Sequence, residues 1–102
     1  MTIIKCLSEK IEDELKDACE YIDLAMKWKQ DEPDTADLFY DLSIKEMEHM
    51  DMLHNEVAEL IQDYRNEHGD PPKEMMTLYD YLHEKHIGKA TEIRIKQGMY
   101  KA

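Results

Sequence analysis

Apolar residues recur along the first third of the chain at Ile4, Leu7, Ile11, Leu15, Ala18, Ile22 and Ala25. Steps of three and four residues trace one face of an α-helix, so the pattern predicts a helix from about Ile3 to Lys29. Asp31, Glu32 and Pro33 break it. A second stripe, Phe39, Leu42, Met50, Leu53, Val57, Leu60 and Ile61, predicts a helix from about Asp34 to His68. Asp34 suits its N-cap and Gly69 its C-terminal stop. At about 1.5 Å per residue this helix would be on the order of 50 Å long. The short connection predicts that the two helices pack antiparallel as a hairpin. Asp70, Pro71 and Pro72 punctuate the chain again. A third helix is expected over about Lys73 to Ile87, with Met75, Met76, Tyr79 and Leu82 on one face. Gly88 is expected to end or kink it, with Lys89 to Ala102 also helical. The fold class is therefore all-α: an antiparallel two-helix hairpin (residues 1–69) plus a shorter C-terminal helix and tail (residues 70–102), within one domain. The stripes are wider than a strict coiled-coil seam, as a globular bundle requires.

Three ionisable residues interrupt this apolar pattern from inside. Glu46 and His49, at i and i+3, share one helix face and lie between Phe39, Leu42, Met50 and Leu53. Glu14 shares the first helix's face with Leu7, Ala18, Tyr21 and Ala25. Burying a polar group without a partner costs roughly 2–7 kcal/mol, and more for a charge. A metal ion would compensate, and two carboxylates with one imidazole suit iron, manganese or zinc. Three side chains are too few for a two-metal centre, and a two-helix hairpin leaves one face uncovered. Two hairpins about a two-fold axis solve both problems. The resulting four-helix bundle would hold two copies each of Glu14, Glu46 and His49, the ligand inventory of a di-iron carboxylate site. On that basis the chain is expected to form a homodimer or a higher homo-oligomer.

Composition narrows the partners. The 102 residues carry a formal net charge of −11, which argues against nucleic acid and against an anionic membrane surface and favours cations. The charge is uneven: residues 1–70 hold 7 basic and 20 acidic side chains, and residues 71–102 hold 6 and 4. The basic C-terminal stretch is read as a solvated helix face, or as a contact for an acidic surface such as a neighbouring copy. Cys6 and Cys19 match no redox or zinc spacing and are too far apart on one helix to bond. No stretch approaches the roughly 20 apolar residues of a membrane span. With reduced cysteines and no signal-peptide pattern, a cytoplasmic location is expected.

The combination of Glu14, Tyr21 seven residues later, and the Glu46-Met47-Glu48-His49 element resembles the ferritin-like superfamily. It is most similar to the encapsulated ferritins, small two-helix half ferritins housed in protein shells. There a Glu helix and a Glu-x-x-His helix meet their symmetry mates to complete the site. The likeness covers about Ile11 to Ile61. It implies that Glu14 and His49 are terminal ligands, that Glu46 bridges the metals, and that Tyr21 is a hydrogen-bonding residue beside the centre. The implied activity is ferroxidase: two Fe(II) ions oxidised by O2 to a bridged Fe(III) pair, for iron storage or detoxification, within a protein nanocompartment of the encapsulin type. The sequence carries neither a Cys-x-x-Cys electron-transfer module nor, in the closing Gly98-Met99-Tyr100-Lys101-Ala102, an obvious shell-docking signal.

Other readings compete. In one, the chain is a helical structural or interaction protein with a ferritin-like fold, whose Glu14, Glu46 and His49 hold a structural metal or bond one another. A peroxide-consuming di-metal enzyme is a third. His83 and His86 share a face with Tyr79 and Leu82. They are read mainly as packing residues, with a further metal or proton-relay site as the alternative. His54 sits at the margin of the second stripe. Of Met47, Met50 and Met52, only Met50 is placed on the core face, which disfavours copper. Trp28 is read as a packing anchor or an interface residue.

Overall fold

The predicted stripe of the first helix becomes its buried face almost residue for residue. In the computed structural model, which describes residues 2–102, α1 spans Thr2–Trp28 and buries Ile4, Ser8, Ile11, Leu15, Ala18, Ile22 and Ala25. Leu7 is only half-buried, and Ser8 takes the fully packed place beside it. After a turn, α2 spans Pro33–His68, and a second turn leads to α3 over Lys73–Lys101. The described residues contain no strand.

Local chemistry sets the helix ends. Glu32, not Asp34, is the N-cap of α2: its φ of −138° is non-helical and its carbonyl accepts from the Ala36 N–H at 2.9 Å. Pro33 then occupies the first helical position, where its missing N–H costs nothing. Asp34 falls within the first turn, where a negative charge complements the helix dipole. Gly69 ends α2 as expected. Its φ of +79° is left-handed, and its N–H donates to the Arg65 carbonyl at 3.0 Å.

The C-terminal helix departs from expectation. With 29 residues it is longer than the 27-residue α1, though shorter than the 36-residue α2. Gly88 does not end it: the helix runs unbroken through this residue. A glycine inside a helix costs about 1 kcal/mol relative to alanine, and tertiary burial of His86, Ala90, Ile93, Gln97 and Tyr100 offsets that cost. The C-terminal end of α3 reaches the opposite end of the hairpin. There the Tyr100 hydroxyl donates to Asp37 at 2.5 Å, its ring stacks on Tyr40, and the Lys29 ammonium bonds its carbonyl. Midway, Gln97 donates to the Ser43 hydroxyl at 3.1 Å, and that hydroxyl donates to the Tyr40 carbonyl at 2.6 Å. Both side chains are buried, so this pairing sets the register of α3.

These contacts place α3 antiparallel to α2 and parallel to α1, in an up-down-up bundle measuring 56 × 20 × 18 Å. The core is formed chiefly by Ile4, Ile11, Leu15, Ile22, Met47, Met50, Val57, Ile61, Ile93 and Tyr100. Met47 thus joins Met50 inside, while Met52 is exposed. Trp28 is exposed as well, with the Lys27 ammonium over its ring. No described helix is long and apolar enough to cross a membrane. Cys6 and Cys19 are both free.

Candidate metal centre

The stripe of α2 divides into two faces. One, with Ala36, Ser43, Met47, Met50, Val57 and Ile61, is buried. The other carries Phe39, Leu42, Glu46, Leu53 and Leu60, all half-buried. The contacts of α3 fall on the first face and its margins, at Asp37, Tyr40, Ser43, Asp51 and His54. On α1 a matching half-buried row runs through Leu7, Glu14 and Tyr21 at intervals of two helical turns. The two rows form a shallow apolar face across the hairpin.

Glu14, Glu46 and His49 meet in the middle of that face. Each offers a ligand atom, and the three atoms lie within 4.8 Å of one another. His49 Nδ1 is 3.5 Å from Glu14 Oε2 and 3.7 Å from Glu46 Oε2. Helix geometry accounts for the cluster: Glu46 and His49 are one turn apart on α2, and Glu14 faces them from α1. The side chains of Glu14 and Glu46 are 25% and 18% exposed, whereas that of His49 is 52% exposed. The expected burial of His49 therefore does not occur within one chain, because the α3 contacts fall on the other side of the hairpin.

The electrostatics of the cluster match its geometry. The Glu46 carboxyl is pushed up from its ordinary value of 4.5 to about 7. The largest cause is hydrogen bonding with the Glu14 carboxyl; burial and repulsion from the Glu14 charge add to it, and the His49 charge opposes it. Two carboxyls this close cannot both ionise cheaply, so one keeps a proton. A cation in place of that proton is attracted to both carboxylates at once and offsets their repulsion. Two carboxylates and an imidazole that already converge form a donor set for a borderline or hard divalent ion such as Fe(II), Mn(II) or Zn(II).

Tyr21 joins this face differently from the expected role. Its ring stacks on Phe39 with centroids 6.3 Å apart. Among the described residues its hydroxyl makes no hydrogen bond to Glu14, Glu46 or His49. Phe39 was legible as an apolar stripe residue but not as the packing partner of Tyr21.

The three other core-side histidines gather elsewhere. His54 of α2 and His83 of α3 approach to 3.1 Å between Nε2 and Nδ1, and their rings stack with centroids 4.7 Å apart. His83 also stacks on Tyr79, and His86 is buried with its Nε2 3.4 Å from Glu12. The spacing of His83 and His86 placed both on one face. The partnership with His54 depended on the path of α3.

No protein-family model matches the chain, and searches of curated proteins and of solved structures find no significant match.

Proposed function

We propose that the protein is a ferritin-like ferroxidase that oxidises Fe(II) with O2 at a site completed by two copies of the chain. The observation that carries this reading is the convergence of Glu14, Glu46 and His49 within 4.8 Å, at the centre of an apolar face that α3 leaves open. An ionisable cluster ringed by Leu7, Tyr21, Phe39, Leu42, Leu53 and Leu60 is costly to leave facing water on its apolar rim. A second hairpin about a two-fold axis would cover that rim and bring a second Glu14, Glu46 and His49 to the first. The Glu14–Tyr21 spacing and the Glu46–His49 pair support the ferritin-like reading.

In this reading Fe(II) is the substrate. Glu14, Glu46 and His49 would bind and orient a pair of ions across the two-fold axis, and the shared carboxyl proton would leave as iron enters. Two Fe(II) ions then give one electron each to O2, which with two protons yields H2O2 and two Fe(III). The acidic surface of α1, with Glu12, Asp13, Asp17 and Glu20, raises the local concentration of cations around the site. Iron storage or detoxification, and housing in a shell, extend the same reading.

The test is anaerobic loading with Fe(II) followed by air. The wild-type chain is expected to generate Fe(III) absorbance well above a protein-free control, and Glu46→Ala and His49→Ala to abolish the excess. Oxidation at the control rate in the wild-type protein overturns the proposal. One observation favours a second, non-catalytic reading: Glu14 and Glu46 can satisfy each other through a shared proton. That reading expects a tightly held redox-silent ion, or none, by metal analysis after chelation and reconstitution.

A further inference from the structure

We propose that the stacked His54–His83 pair is a pH-sensitive latch, which holds the first half of α3 (residues 73–87) on α2 at neutral pH and lets it open in acid. It involves none of Glu14, Glu46 and His49 and stands whether or not that cluster oxidises iron. The two rings lie nearly parallel, 15° apart with centroids at 4.7 Å, and bring His54 Nε2 within 3.1 Å of His83 Nδ1. Tyr79 extends the stack, its ring centroid 5.6 Å from that of His83.

The pair sits where α3 is least anchored. The buried residues of α3 start at His86, and the hydrogen bonds of Gln97 and Tyr100 to α2 lie further on. Between the buried Pro71 and His86, the best-covered residues (Met75, Met76, Tyr79, Leu82 and His83) are only half-buried. A segment with few buried apolar contacts opens at lower free energy than the rest of the fold. The pair lines a cavity of about 190 Å³ walled by Met50, Ile87 and Ala90, so opening this half brings water to Met50, a core residue.

The proton count sets the switch. A neutral pair shares one hydrogen between the facing nitrogens, and a singly protonated pair still does so. A second proton makes both facing nitrogens donors and places two like charges side by side, so the hydrogen bond is lost.

The surroundings offset only part of that charge. Asp51 of α2 favours charged His54 but is shared with Arg94 of α3 at 3.4 Å. From α1, Glu12 faces His86 at 3.4 Å, while Lys85 of α3 opposes charge on that ring. Tyr79, its phenol pushed up by burial and by Asp80, stays neutral. Among the described residues the partners of His83 are His54 and Tyr79, and no carboxylate pairs with it. Burial lowers the proton affinity of His54 most, and His83 and His86 lower it further. With its folded value below the ordinary 6.5, His54 binds a proton less tightly in the closed state than in the open one. The latch therefore contributes fully above about pH 6.5 and weakens as pH falls below it.

The experiment is hydrogen exchange of the metal-free full chain, read by mass spectrometry at pH 7.5 and pH 5 with rates corrected for intrinsic exchange. In the wild-type chain, protection of residues 73–87 is expected to fall at pH 5 by about tenfold more than that of the hairpin, the factor for one unit of pKa displacement. His54→Gln keeps a donor toward His83 Nδ1 and removes the second charge, so this extra loss is expected to vanish. Equal protection at both pH values in the wild-type chain, a loss shared equally by the hairpin, or the same loss in His54→Gln overturns the proposal. Should His54→Gln not fold, the imidazole NMR titration of the wild-type chain decides. His54 and His83 are expected to titrate in two coupled steps, the second below the ordinary 6.5. Two independent single-step titrations near 6.5 overturn the latch.

Discussion

Glu46 is where sequence, packing and chemistry meet in a single residue. Its elevated carboxyl follows from a hydrogen bond with Glu14, from burial and from repulsion, and the sign of its effect on stability follows from linkage. Because its folded value near 7 lies above the ordinary 4.5, the folded chain binds the proton more tightly than the unfolded chain. That contribution is fully present below about pH 4.5 and is lost as pH rises through about 7. Glu46→Gln removes the titration and keeps a hydrogen-bonding group. Relative to wild type, the variant is expected to gain stability between pH 5 and pH 8 in metal-free buffer, measured by urea denaturation at both values. A stability difference independent of pH would show that Glu14 and Glu46 do not share a proton. The identity of this residue as a candidate ligand was legible from its i, i+3 partner and apolar neighbours. Its altered proton affinity was not, because that depends on a carboxylate 32 positions away in the chain.

At the scale of the element, α3 shows tertiary packing overriding local preference. Two glycines lie inside it, at Gly88 and Gly98, and a Cβ at either position would meet no atom within 4 Å. Neither residue is needed for close approach, and neither has positive φ. Gly88→Ala is therefore expected to stabilise the fold by about 0.5–1 kcal/mol, through reduced freedom of the unfolded chain and better helix propensity. A rise in thermal midpoint of a few degrees checks this. What holds α3 in place is its buried row, in which Ile93 is the one aliphatic side chain larger than alanine. Ile93→Ala is expected to cost about 2–5 kcal/mol, and denaturant unfolding would show whether α3 then detaches before the hairpin. The boundary expected near Ile87 failed for a physical reason. The rest of the row is His86, Ala90, Gln97 and Tyr100, and three of those residues are polar or amphipathic. A pattern of large aliphatics cannot reveal a helix buried through hydrogen bonds to Ser43 and Asp37.

For the whole molecule, the third helix closes one side of the hairpin and leaves the other open. The open side carries the candidate ligands, which is why oligomeric state and metal chemistry are expected to move together. Leu53→Glu sits on the open face, half-buried and one helical turn beyond His49, and is not itself one of the three ligands. In sedimentation at micromolar concentration the wild-type chain is expected to be a dimer or larger, and Leu53→Glu a monomer of equal helix content. Iron oxidation should fall with the loss of the dimer although all three ligands remain. A monomeric wild-type chain that oxidises iron at full rate would separate the activity from assembly.

The sequence by itself determined the helical class, the hairpin, the stop at Gly69 and the juxtaposition of Glu14, Glu46 and His49. Each of these depends on spacing within a helix or across one short turn, where the 3.6-residue repeat leaves little freedom. Only the tertiary structure decided the course of α3, the pairing of His54 with His83, the stacking of Tyr21 on Phe39 and the exposure of His49. Those outcomes depend on which face of the hairpin the third helix covers. That choice is made by contacts between residues more than 25 positions apart, such as Gln97 with Ser43 and Tyr100 with Asp37, and no local period encodes it.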